Sequence, residues 1–314
     1  MPIPRWRIIA AFAAVYLIWG SSYLAIRIAI ETVPPFLSAG VRFGIAGIML
    51  LVWARSHGQE MPSRKEWGTG FLSGAFMFVF ASGGIAWATQ YVPSGITALL
   101  NATLPVWMVL LDWLVYHHAR PGLPTFTGLS LGIVGLLLLI EPGPMSTASP
   151  LYGIAMLITA AAPISWAAGS LLAREKLGGR APLVTTGMQL TAGGLLLIVL
   201  SLFSGEVHTF QLDAVSLRSS LALLYLVFGS SIVAFGSFMW LMRVEDPGRV
   251  STYAFVNPVL ALYLGSLLAD EALTPRTLLA AAIILSGVLL ITYRKRLALP
   301  RWLRPRPAAT GIQP

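Results

Sequence analysis

Trp87-Ala-Thr-Gln-Tyr-Val-Pro-Ser-Gly95 opens the stretch that decides the fold. It leads into an apolar run holding Asn101 and Pro105, then a glycine-spaced run through Gly132 and Gly135 to Ile140. The same landmarks return in the second half of the chain. Trp240 stands 153 positions after Trp87, Pro258 stands 153 after Pro105, and Gly287 stands 152 after Gly135. Between the last two landmarks each copy carries a polar break. It is His117-His118-Ala119-Arg120-Pro121 in the first and Asp270-Glu271-Ala272-Leu273-Thr274-Pro275 in the second. A repeat of that period means two similar halves, residues 1–145 and 146–296.

Composition says what the halves are made of. Of 314 residues, 56% are hydrophobic and 11% are charged, against roughly 25% charged in a soluble domain. A soluble fold of this size has no way to hide so much apolar surface, whereas a membrane protein need not hide it. The absence of cysteine excludes disulfides, a cysteine-ligated zinc site and an iron–sulfur cluster. Four scattered histidines supply no metal-ligand set. In a soluble chain a net charge of +9 would point to nucleic acid. Beside this hydropathy it is read as lysine and arginine anchoring cytoplasmic loops, and no nucleic-acid partner is expected.

A helical span needs about 20 mostly apolar residues. Ten such segments are predicted, near 7–30, 36–54, 67–90, 95–116, 123–140, 151–171, 183–203, 219–242, 250–268 and 276–293. The first follows Arg5 and Arg7 like a signal peptide, but its apolar run is too long and lacks a small-x-small cleavage site, so it is read as retained. With the N-terminus in the cytoplasm, the loops sort by charge. The cytoplasmic set is Arg5, Arg7, Arg55, Arg64, Lys65, Arg120, Arg174, Lys176, Arg180, Arg243, Arg249 and the tail residues Arg294, Lys295, Arg296, Arg301, Arg304 and Arg306. That is 17 of 21, with only Arg218 and Arg276 on the other side and Arg27 and Arg42 within spans. The asymmetry favours ten spans with both termini cytoplasmic. Five spans per repeat is an odd number, so the second half enters the membrane in the opposite sense. An all-α polytopic membrane protein with two inverted five-helix repeats is the expected fold, and that arrangement is a transporter device with its site between the halves. Residues 297–314, rich in proline and arginine, are expected to be a disordered basic tail on the anionic cytoplasmic leaflet.

Several segments resemble a known family. They are Trp19-Gly-Ser-Ser-Tyr-Leu-Ala-Ile-Arg27, Pro34-Pro35-Phe36 with Arg42-Phe43, Gln90-Tyr-Val-Pro-Ser-Gly95, Ser165-Trp166-Ala-Ala-Gly-Ser170, Tyr253-Ala-Phe-Val-Asn-Pro258 and Glu271. In order and spacing they are similar to EamA-type carriers of the drug/metabolite transporter superfamily, and among these to the YedA-like exporters. The resemblance implies a ten-helix inverted-repeat carrier in a bacterial inner membrane that exports small metabolites, often amino acids or drug-like compounds. One position departs. Many relatives carry an acidic residue before span five as well as before span ten, and the counterpart of Glu271 here is His118.

The candidate transport residues come from spans four and nine, the tryptophans and the few charges. Asn101, Pro105, Met108 and Asp112 are spaced 4, 3 and 4 apart, which sets them on one helical face. Proline removes a backbone hydrogen bond and bends a helix, so Pro105, with Pro258 beside Tyr253 and Asn257 in span nine, reads as a hinge pair. The alternative is helix packing, since proline is common in membrane helices. Trp19, Trp87, Trp166 and Trp240 occupy matched places in the halves, and Trp19 and Trp166 fall mid-span, away from the interfacial belt that suits Trp6, Trp53, Trp67 and Trp302. With Tyr23 one turn beyond Trp19, they are expected to wall a cavity for planar or cationic bodies. Gln90 adds hydrogen bonds beside Trp87. Arg42 is a candidate for a substrate carboxylate, or else a structural anchor. Asp112 is a candidate for proton coupling, or else a partner of Arg120 or His117. The pairs Gly40/Gly44, Gly70/Gly74 and Gly128/Gly132 read as close helix packing.

No lysine-serine/threonine phosphate loop or HExxH motif is present. The expected function is therefore a secondary transporter exporting small organic metabolites such as amino acids, their analogues or aromatic drug-like compounds, by alternating access. It is expected to need no cofactor, to be no enzyme, and to work as a monomer in the lipid bilayer. A flippase for a lipid-linked substrate and a membrane sensor without transport are the alternatives.

Overall fold

The computed structural model describes residues 4–117, 122–139, 150–244, 253–268 and 272–292. The expectations for the tail 297–314 and for His118, Arg120, Arg249 and Glu271 lie outside the described residues. Helix occupies each of the predicted segments: α1 (Arg5–Ala29), α2 (Pro35–Ser56), α3 (Arg64–Ala88), α4 (Ser94–Leu114), α5 (Leu123–Leu139), α6 (Pro150–Leu177), α7 (Pro182–Phe203), α8 (217–244), α9 (Tyr253–Leu268) and α10 (Pro275–Thr292). There is no strand among the described residues. Seven helices, α1 to α4 and α6 to α8, are long and apolar enough to cross a membrane, and shorter apolar helices lie in α5, α9 and α10.

Local chemistry sets the ends. Pro35 and Pro182 begin α2 and α7, where a missing N–H costs nothing because the first turn has no acceptor for it. A capping box starts α3: Ser63 Oγ accepts from the Glu66 N–H, and the Ser63 N–H donates back to the Glu66 carboxylate. Gly205, at φ 81°, makes the left-handed turn after α7 that residues with a Cβ disfavour. Large apolar side chains cover the outside, with Phe203 at 86% and Leu157 at 73% exposure. Only a lipid surround leaves such a surface without penalty.

The helices pack by exchange of halves. α2 lies on α7, α5 on α10, and α4 on α9, each joining an element to its counterpart in the other half. The remaining major pairs come in swapped couples: α1 with α9 and α6 with α4, α1 with α8 and α6 with α3, α2 with α8 and α7 with α3. The α2–α7 pair is antiparallel, since Gly40 faces Gly194 and Ile198 while Gly47 faces Gly187 and Thr191. The α5–α10 pair is antiparallel too, with Gly135 against Ala280 and Ile284 and Gly287 against Gly128 and Leu131. Antiparallel pairing of counterparts requires an axis across the helices rather than along them. Small residues make these approaches possible, as expected where lipid removes the hydrophobic drive between helices.

Two local features depart from plain helix. α3 and α8 each contain a π-helical stretch, Ala75–Gly83 and Tyr225–Ala234, at equivalent places in the halves. The Gly84 N–H reaches back five residues to the Val79 carbonyl. α4 is broken at Ala102–Thr103, between Ser94–Asn101 and Leu104–Leu114. Pro105 sits in the first turn of the restarted helix, directly after this break. Pro258 does lie inside α9.

Candidate functional site

The breaks and bulges surround one central cavity of about 140 Å³. Its wall takes Trp19, Ser22, Tyr23 and Ile26 from α1, Arg42 from α2, Ser82 and Ile85 from α3, and Ala98, Asn101, Ala102 and Leu104 from α4. The second half contributes Trp166, Ser230, Tyr253, Asn257 and Pro258. Helix periodicity explains the α1 contribution, because residues 19, 22, 23 and 26 are spaced three, one and three apart on one face.

Two aromatic groups flank the cavity. On one side Trp19 meets Phe238 at 5.2 Å, Tyr253 at 5.1 Å and Phe235 at 6.0 Å between ring centroids. On the other, Trp166 stands edge-on to Phe78 at 5.7 Å, and Phe78 leans on Phe43 at 4.8 Å. Edge and tilted contacts of this kind suit the ring quadrupoles and stiffen the wall.

A polar seam joins the two groups. Arg42 donates from Nε to Ser231 Oγ over 3.0 Å and from Nη2 to Ser230 Oγ over 2.9 Å. Ser22 Oγ donates to Ser230 Oγ over 3.0 Å, and Trp19 Nε1 donates to the Ser230 carbonyl over 3.2 Å. Asn101 Nδ2 donates to Tyr23 Oη over 2.6 Å. The guanidinium also lies 4.7 Å from the centre of the Phe43 ring. Among the described residues no carboxylate pairs with Arg42. Asn257 is buried, and its amide, in the orientation that satisfies both ends, donates to the carbonyls of Tyr253 and Tyr16. It thus ties α9 to α1 beside the cavity.

Eight candidates from the sequence line this cavity: Trp19, Tyr23, Arg42, Asn101, Trp166, Tyr253, Asn257 and Pro258. Trp87 and Gln90 do not. They belong to a wider recess of about 440 Å³ formed by helix ends and loops, with Glu31, Pro34, Phe36, Tyr91 and Glu206. There the Gln90 side chain donates to the Trp87 carbonyl, and Trp87 stands 5.1 Å from Tyr91. Glu206 accepts from the Phe36 and Leu37 N–H groups and from Ser201, so its charge caps α2. The smaller cavity is the better candidate site, because both halves build it and its polar groups converge mid-helix. Met108 and Pro105 follow Asn101 on α4 but stand outside the cavity lining. Asp112 lies beyond them, where Arg174 donates to it at 2.5 Å. This pair is partly exposed, and Arg174 also holds Glu175. Nearby, Arg180 bridges Glu60 and Glu66. The Glu66 carboxylate raises the Arg180 pKa by stabilising its charge.

Sequence reading missed Ser22, Ser82, Ser230 and Ser231. Serine is unremarked in membrane helices because its hydroxyl commonly bonds its own preceding turn, as Thr89 does here with Ile85.

Comparison with known proteins agrees with this architecture. The EamA-like transporter family model matches twice, over residues 5–141 and 152–293. The chain is 34% identical over 289 residues to the uncharacterized inner membrane transporter YedA of Escherichia coli K12, covering 91% of each. It is 26% identical to a probable amino-acid metabolite efflux pump of Salmonella typhimurium, over 87% of this chain and 91% of that protein. Protein PecM of Dickeya dadantii is also 26% identical, over 87% and 88%. A solved crystal structure superposes with a TM-score of 0.64, covering 92% of this chain and 98% of that one at 21% identity, which is likeness of fold. With two family matches spanning nearly all of its length and a 34% identical membrane transporter beside it, this chain is a multi-pass membrane protein and belongs to the EamA-like transporter family.

Proposed function

We propose that the protein is a secondary transporter that exports a small organic metabolite by alternating access. The single observation that carries the reading is the central cavity, which both halves wall and which holds convergent polar groups between aromatic surfaces. In this reading the ten helices all span the bilayer as two inverted repeats, residues 1–145 and 146–296, with both termini cytoplasmic. The antiparallel counterpart pairs and the arginine and lysine distribution support it. Trp19, Tyr23, Arg42, Asn101, Trp166, Tyr253 and Asn257 bind the substrate, and Ser230 and Ser231 orient Arg42. Trp87 and Gln90 serve the recess at the helix ends, on the outer side in this topology. Export is the direction named for the efflux-pump relative. A monomer contains the whole site, and the transport step needs no cofactor.

The π-helical stretches support the rocking part of the reading. They interrupt regular hydrogen bonding at matched places in α3 and α8, beside the site, as π-bulges often do. The test is solute flux in proteoliposomes of the purified protein. The panel is amino acids, organic acids, amines, nucleosides and aromatic cations, with and without a pH gradient. Saturable movement of one class is expected. No movement of any class, from protein shown to be folded, would overturn the reading.

A further inference from the structure

We infer that the central cavity selects a small planar monocarboxylate and rejects amines and zwitterions with the same ring. The inference rests on the transporter reading and sharpens it to a substrate class.

Among the described residues, Arg42 is the only formally charged one in the cavity wall. Ser230 and Ser231 take one N–H from Nη2 and the one from Nε. The other guanidinium N–H groups have no protein partner among the described residues. A guanidinium offers five donors in a planar fork and matches a carboxylate with two parallel bonds. Fixing its inner edge on two serines leaves it pre-oriented, so little side-chain freedom is lost when an anion arrives.

The site offers nothing comparable to an ammonium. Among the described residues no aspartate or glutamate lines it. Asp112 pairs with Arg174 and is absent from the wall. The aromatic wall, Trp19, Tyr23, Trp166 and Tyr253, offers a cation ring faces only, with no formal counter-charge from the described residues beside them. A zwitterion would put its ammonium near the guanidinium, in a poorly solvated space, without a counter-charge. The cavity, at about 140 Å³, is also well below the roughly 300–1,000 Å³ typical of drug-sized sites. It fits one ring and a short acid chain.

The test is binding to purified full-length protein, by calorimetry, of three probes with one ring: 3-phenylpropanoate, phenylalanine and phenethylamine. The acid should bind roughly tenfold tighter than either other probe, the scale of a charge-assisted hydrogen bond. Arg42→Gln should remove that preference and Arg42→Lys should keep part of it. Ser231→Ala should weaken the acid severalfold with unchanged thermal unfolding, and it serves if the Arg42 variants do not fold. Equal binding of the three probes, or a preference for the amine or the zwitterion, overturns the anion inference and leaves the transporter reading standing. Binding of none of them by folded protein overturns the inference, while flux of another solute class in proteoliposomes would still uphold the transporter.

Discussion

Arg42 on α2 and Ser230 on α8 are joined across the two halves by a 2.9 Å hydrogen bond. Ser230 accepts there from Ser22 as well, and its carbonyl accepts from Trp19. One small residue thus fixes three groups of the cavity wall. Ser230→Ala should leave membrane insertion intact and lower transport affinity about tenfold, since hydrogen bonds to charged groups contribute about 1.5–3 kcal/mol. Concentration dependence of flux at equal protein levels checks this.

Trp19 combines a ring wall with a hydrogen bond. Trp19→Ala should cut transport strongly, because it removes the surface packed against Phe238 and Tyr253. Trp19→Phe should retain more activity, losing only the indole N–H donated to Ser230. Equal losses in the two variants would mean that the hydrogen bond, rather than the ring, carries the effect.

The α2–α7 crossing offers a paired test of packing. A Cβ on Gly194 would stand 2.8 Å from Gly44 Cα and 2.9 Å from the Gly40 carbonyl, both backbone atoms that cannot turn aside. A Cβ on Gly44 would meet nothing within 4 Å. Gly194→Ala should therefore destabilise the protein by about 1–3 kcal/mol, as overpacking does, and Gly44→Ala should not. Thermal unfolding in one detergent compares them directly.

Asp112 stands apart from the cavity, in a partly exposed ion pair with Arg174. Pairs of this kind contribute about 0–1 kcal/mol. Asp112→Asn should change the pH profile of transport little. A profile that shifts or flattens would restore Asp112 as the coupling group.

Trp87 and Gln90 line the wider recess at the helix ends. Trp87→Ala should leave the affinity of the central cavity within about twofold, because Trp87 is not among the cavity-lining residues and, among the described residues, the side-chain hydrogen bond it receives comes from Gln90. Binding of the transported solute to the variant is the measure.

Much of this was legible from the chain. The repeat through Trp87, Pro105 and Gly135 located the helices, and mid-span aromatics such as Trp19 and Trp166 pointed to the cavity because the interfacial belt does not explain them. The serines were not legible, since only the three-dimensional approach of α8 to α1 and α2 turns Ser230 into a shared acceptor. Nor were the π-helical stretches, because a shift from four-residue to five-residue hydrogen bonding leaves no mark in composition. Asn101, Pro105, Met108 and Asp112 were aligned by uninterrupted helical spacing. The break at Ala102–Thr103 resets that spacing, and Asn101 alone of the four lines the cavity.

The central claim is that one cavity serves both sides of the membrane in turn. The chain has no cysteine, so Ser82→Cys places a single thiol on the cavity wall. The measurement is its reaction with a membrane-impermeant thiol reagent, applied to each face of sealed vesicles separately, followed by transport. The account predicts reaction from both faces, protection by the transported solute and loss of transport after labelling. Reaction from one face only during turnover, or full transport by the labelled protein, would contradict it.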